Sequence, residues 1–219
     1  MGSRSVVAAD RSPVTTHGPL TLDGDRDVDR IATDVAPRRS IVVCVAPGAP
    51  TDRLAALLES CGAGAPREYF DSDVAATLAQ RWGVTNLDEY VAALHRRRST
   101  AEGVFAVILQ WAHVRRLHRQ VAGVTQLTAA RTLPIIDTIA PHARFVHVRD
   151  ADAVARATRG AAKVTPPPVA ERQALIDATD HTWRRWFDDA RIEPLTLVVG
   201  PHTDVAADDL ARQLGLDTP

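Results

Sequence analysis

Four apolar runs, separated by stretches of helical periodicity, constrain this chain more than any other feature. They are IVVCV (41–45), GVFAVILQW (103–111), FVHVRD (145–150) and LTLVV (195–199). The second is continuous rather than alternating and follows a glycine, the pattern of a central strand buried on both faces. Between the runs the period changes from strand-like to helical. Leu54, Leu57, Leu58 and Cys61 stand at i, i+3, i+4 and i+7, and Leu87, Tyr90, Val91 and Leu94 repeat that spacing. Strands alternating with helices predict an α/β fold, a parallel sheet flanked by helices.

Further helices are expected over 73–82, 113–121, 151–162, 171–190 and 205–214. Asn86 suits an N-cap, with Glu89 three residues on. Arg96, Arg97 and Arg98 then meet the negative end of that helix dipole. The triplet Pro166, Pro167 and Pro168 breaks the helix before it. Gly215 stands where a helix-ending glycine belongs. Trp183, Trp186 and Phe187 are expected to bury the 171–190 helix, with a dimer contact as the other use of such a face.

Residues 1–39 are rich in Asp, Arg, Pro, Gly and Ser and read as a flexible N-terminal arm; 40–219 read as one domain. A chain of 219 residues has length enough for one α/β core. The formal net charge of −1 gives no field to gather nucleic acid or an anionic membrane. Cys44 and Cys61 fall on a strand and on an apolar helix stripe, as core thiols do. Residues 1–30 carry no apolar signal segment, and no apolar run reaches the ~20 residues of a membrane span. A cytoplasmic protein is the expectation. The arginines of 96–98 and 115–119 read as solvated helix faces. His113 and His118, five apart, point to different sides of a helix, and no Cys or acidic residue joins them at ligand spacing, so no metal is expected. The lysine-bearing nucleotide loop and the nucleophile elbow are both absent.

The loop after the first strand, Ala46-Pro47-Gly48-Ala49-Pro50-Thr51-Asp52, stands where an α/β chain usually binds phosphate on free helix N–H groups. It has no lysine, and its prolines remove donors. Asp52 brings a negative charge; at ~4 Å and an effective dielectric near 20, one like-charge pair costs about 4 kcal/mol. Thr51 or Asp52 would serve as an ordinary helix cap.

The order IVVCVAPGAPTDRLAALLESCGAGAPREYF, GVFAVILQW, FVHVRDADAVARAT, HTWRRWFDDARIEPLTLVV and LARQLGL resembles the bacterial sulfotransferase family typified by trehalose 2-sulfotransferase. The resemblance spans about residues 40–216. It implies a P-loop-like PAPS-dependent sulfotransferase fold, a homodimer, and transfer of a sulfuryl group from PAPS to a hydroxyl of a small molecule. On the cofactor side it implies Pro47, Gly48, Thr51, Arg53, Arg149 and Arg159. Only Pro47 and the Thr51 hydroxyl match the family loop T-P-R-S-G-S-T. Asp150, or Arg149 after a one-residue slip, takes the place of the 3′-phosphate arginine, and Arg159 that of the serine. The segment from Arg159 to Val169 is shorter than the family's closing lid. Glu68 matches the family's general base, and Arg67, Tyr69, Phe70, Trp111 and His147 would line the substrate pocket. By alternation with Val146 and Val148, His147 also suits a core position.

A retained base beside a degenerate donor loop leaves three readings. The first is a divergent family enzyme acting on a small hydroxyl-bearing substrate, with Glu68 as acid/base and PAPS use altered or lost. The second is a true PAPS-dependent sulfotransferase. The third is a non-catalytic partner or scaffold.

Overall fold

A computed structural model describes residues 36–123, 127–150, 168–200 and 205–216. In chain order the elements are β1 Arg39–Val45, α1 Thr51–Ser60, α2 Ser72–Trp82, α3 Leu87–Arg98, β2 Val104–Gln110, α4 Trp111–Ala122, α5 Ala129–Ile139, β3 Ala143–Asp150, α6 Val169–Ala190, β4 Leu195–Val199 and α7 Ala207–Leu214. The four strands form one parallel sheet in the order β2-β1-β3-β4. The expected α/β class, a parallel sheet flanked by helices, is therefore what the chain adopts. No helix among the described residues is long and apolar enough to cross a membrane.

Alternation along the strands divides the core into two layers. Val42, Cys44, Phe105, Val107, Leu109 and Phe145 face α2 to α6. Ile41, Val43, Val45, Ala106, Ile108 and Val146 face α1 and α7. The helical stripes read from the sequence are those that pack: Leu54 and Leu58 on α1, and Tyr90, Val91 and Leu94 on α3. Asn86 caps α3, its Oδ1 accepting from the Glu89 N–H at 2.9 Å. The Glu89 carboxylate reaches one residue further back, to the Thr85 N–H at 3.2 Å.

Several expectations need correction. Helix α5 is not among the helices expected from the sequence, and Pro134 lies inside it. Thr132, Ile135, Ile136 and Ile139 nevertheless lie buried on one face at helical spacing. Arg98 is not solvated. It is fully buried, its guanidinium 5.9 Å from the Tyr69 ring centroid and 5.6 Å from that of Trp82. A planar, weakly hydrated cation can lie against aromatic faces where an ammonium could not. His113 and His118, placed on different sides of α4, are both buried. Trp183, Trp186 and Phe187 are core residues. The arm over 1–35, the 151–162 helix, Arg159 and the shortened lid lie outside the described residues.

Candidate functional site

In an open parallel sheet, ligands gather at the C-terminal strand ends, where neighbouring strands send their connections in opposite directions. Here that point lies between β1 and β3, because the chain leaves β1 for β2 on one side and β3 for β4 on the other. The loop after β1 sits at this place, and two of its N–H groups are given to its own carbonyls. The Ala49 N–H is given to the Ala46 carbonyl at 3.3 Å, and the Thr51 N–H to the Ala49 carbonyl at 2.8 Å. Pro47 and Pro50 have no N–H. Gly48 takes a left-handed φ of 75°, which lets the loop turn this tightly. The α1 N-cap is Pro50, with no side-chain cap, so neither Thr51 nor Asp52 caps the helix. Arg53 donates to the Gly200 carbonyl at 3.0 Å, tying α1 to the end of β4. These residues offer PAPS a poor seat: two of the loop amides are spent on its own carbonyls, Pro47 and Pro50 carry none, and Asp52 adds a negative charge beside the Arg53 that is tied to Gly200.

Glu68 lies a short way along the same sheet edge. The Ile108 N–H donates to the Arg67 carbonyl at 2.9 Å, which lays the link before α2 against the end of β2. Gln110 ends β2 and pairs in register with Val45. Its Nε2 donates to Glu68 Oε1 at 2.6 Å. Its side chain also accepts from the His113 N–H, while His113 Nδ1 accepts from the Gln110 N–H at 3.2 Å. The Gln110 amide is thus oriented from both sides. His113 must stay neutral to accept at Nδ1. Burial, helped by the Arg116 charge, pushes its pKa down to about 4. Burial also raises the Glu68 pKa, with Asp71 and Asp52 adding to the shift and the Gln110 hydrogen bond opposing it.

Not every residue expected around Glu68 is there. Tyr69 and Phe70 are buried in the core; the Tyr69 hydroxyl donates to the Ala65 carbonyl. The Phe70 carbonyl accepts from Arg116. Trp111 meets Trp183 edge to face, ring centroids 4.9 Å apart, and borders a cavity of about 280 Å³ with Thr128 and Arg185. His147 lies across β1 from β2, buried on β3, where its Nε2–H donates to Asp180 Oδ1 at 3.0 Å. Arg184 engages the other Asp180 oxygen at 2.9 Å. Burial lowers the His147 pKa, and Arg149 and Arg184 reinforce this against Asp180. His147 and Arg149 border a second cleft, of about 550 Å³, between β3, β4 and the end of α6. Neither cavity is lined by Glu68.

Gln110 and Asp180 escaped the sequence reading, and His113 was weighed there only as a metal ligand. The signal for Gln110 and His113 was a glutamine ending an apolar strand, with a histidine three residues on at the first turn of the next helix. Nothing local signals Asp180, which is one more polar residue on a long helix.

No family model matches the chain, and no curated protein matches it. Among solved structures, it is similar to a gluconokinase from Sinorhizobium meliloti 1021, at 15% identity and a TM-score of 0.37, over 82% of this chain and 91% of that one. A likeness of that extent leaves the parallel sheet to rest on its own strand pairing.

Proposed function

We propose that the chain is a divergent relative of the bacterial sulfotransferases, acting on a small hydroxyl-bearing molecule with Glu68 as its acid/base and without PAPS at the 46–52 loop. The observation that carries this reading is Glu68 itself: a half-buried carboxyl of raised pKa, aimed by the Gln110 amide at the C-terminal edge of the sheet. A carboxylate of raised pKa is a stronger base than an exposed one, and a fixed hydrogen bond leaves its second oxygen to take the proton of a substrate hydroxyl. A homodimer and a cytoplasmic location belong to the same reading. The non-catalytic reading draws support from one observation, that neither cavity is lined by Glu68.

Titration calorimetry with PAP, the desulfated product of PAPS, is the direct test. No saturable binding is expected at ~1 mM PAP. Micromolar binding that also shifts the amides of the 46–52 loop by NMR would restore the PAPS-dependent reading and overturn the account of Gly48, Pro50 and Asp52. A protein-observed NMR screen with trehalose and glucose then separates enzyme from scaffold. Shifts at the Gln110 side-chain amide support an occupied site, and their absence with every sugar favours the scaffold.

Glu68 also has a stability signature. A carboxyl whose pKa is raised on folding stabilises the fold below its ordinary value of 4.5, and that contribution is lost as pH rises through the raised value. Glu68→Gln keeps an oxygen for Gln110 and removes the buried charge. It is expected to raise Tm at pH 7 and to lose that advantage below pH 4.5. An equal Tm gain at both pH values would show that the Glu68 charge is well solvated.

A further inference from the structure

We propose that the cleft between β3, β4 and the end of α6 binds a small molecule carrying a phosphate or sulfate group, held by Arg149, Arg184 and Arg191. This cleft is separate from the Glu68 site. It lies toward the β4 edge of the sheet, whereas Glu68 lies at the β2 edge. Its volume of about 550 Å³ falls in the range of small-molecule sites.

The arginines come from different places and converge. Arg149 stands two residues after His147 on β3, so both point to the same face of the sheet. Thr196 of β4 pairs with His147 and adds a hydroxyl to that face. Arg184 is one turn along α6 from Asp180, which it engages. Arg191 ends α6 with a left-handed φ of 54°, at a position where glycine or asparagine is the usual residue. A long cationic side chain at this backbone conformation borders the cleft.

One of the three charges is already engaged, since Arg184 pairs with Asp180. Asp188 and Glu193 also border the cleft, yet among the described residues neither forms an ion pair with the arginines, and Arg149 and Arg191 form none. Arg149 and Arg191 thus border the cleft without a carboxylate partner among the described residues. Their planar forks match the oxygens of a tetrahedral oxyanion. Phe187 and Pro194 supply an apolar wall for the rest of the ligand.

His147 reports on occupancy. Around it stand Asp180, Arg184 and Phe187 from α6, Arg149 from its own strand, Cys44 from β1 and Thr196 from β4. The Cys44 thiol is held neutral by burial. An anion beside the arginines offsets the two charges that now depress protonation of the ring.

The experiment is an NMR titration of the full chain with phosphate, sulfate and phenyl phosphate at constant ionic strength. Saturable shifts at Thr196 and the His147 ring are expected, with the His147 pKa rising by about half a pH unit. The double variant Arg149→Gln, Arg191→Gly should weaken binding at least ~10-fold, about 1.4 kcal/mol, while Arg131→Ala on α5 leaves it unchanged. Glycine keeps the left-handed turn, so the double variant should fold. Tighter binding of phenyl phosphate than of phosphate supports the organic ligand, and equal binding overturns that part. Shifts that stay linear to ~20 mM, or that persist in the double variant, overturn the site.

Discussion

Replacing Trp183 by alanine is expected to lower the unfolding free energy by about 3–5 kcal/mol. The side chain is fully buried where α6 crosses the end of β1. It meets Trp111 and Trp186 edge to face and lies nearly parallel to Phe187, at 25°. Its indole Nε1 donates to the Val45 carbonyl at 3.2 Å, the last of the strand before the 46–50 loop. Truncation leaves a cavity among these rings and removes that donor. Set against a typical total of about 5–15 kcal/mol, the loss is large. Trp183→Phe keeps most of the ring volume and loses the N–H, so about 1–3 kcal/mol is expected. Urea denaturation of the three proteins measures both values. A cost under ~1 kcal/mol for alanine would mean that α6 is not seated on β1 in this way.

Gly64→Ala is the second large effect. Gly64 has a φ of 85°, and a Cβ there would stand 3.0 Å from the Arg98 carbonyl oxygen and 3.2 Å from that of Val104. Both are backbone atoms at the junction of α3 and β2, so they cannot swing aside. The left-handed backbone and the clash together are expected to cost about 2–4 kcal/mol. Gly62→Ala is the matched control. Its φ is 78°, with nothing within 4 Å of the added methyl, so only the conformational cost of about 1–2 kcal/mol applies. Equal losses at the two positions would show that the close approach does not matter. Because Gly64 seats the link that carries Glu68, Gly64→Ala should also loosen the hydrogen bond to Gln110. That hydrogen bond opposes the rise in the Glu68 pKa, so the carboxyl would then titrate further above its ordinary 4.5, by carboxyl NMR.

The Gln110 and His113 pairing explains why the candidate site was only partly legible in the sequence. Glu68 stood out through a resemblance, as one acidic residue in a turn-rich link. What gives it chemical character is Gln110, separated from it by 42 positions and brought near by the pairing of the link with β2. His147 was expected in the same pocket as Glu68. The strand order puts β1 between β2 and β3, so His147 borders the cleft beside β4 and Glu68 does not. Tyr69 and Phe70, next to Glu68 in sequence, turn into the core because Phe105 and Tyr90 offer them aromatic neighbours there.

Read by itself, the sequence determined the parallel α/β class, the strand positions to within two residues, the faces of α1 and α3, and the Asn86 cap. Each rests on local periodicity or capping, set by the backbone repeat of 2.0 or 3.6 residues and by side chains a few positions apart. Only the tertiary structure decided that the loop after β1 spends two of its N–H groups on its own carbonyls, that Arg98 is buried, that α5 continues past Pro134, and that three arginines share one cleft. Those outcomes depend on which strand ends lie side by side and on which groups lose their water. Both follow from the packing of the whole chain, in which a residue's neighbours across the sheet outweigh its neighbours along the sequence.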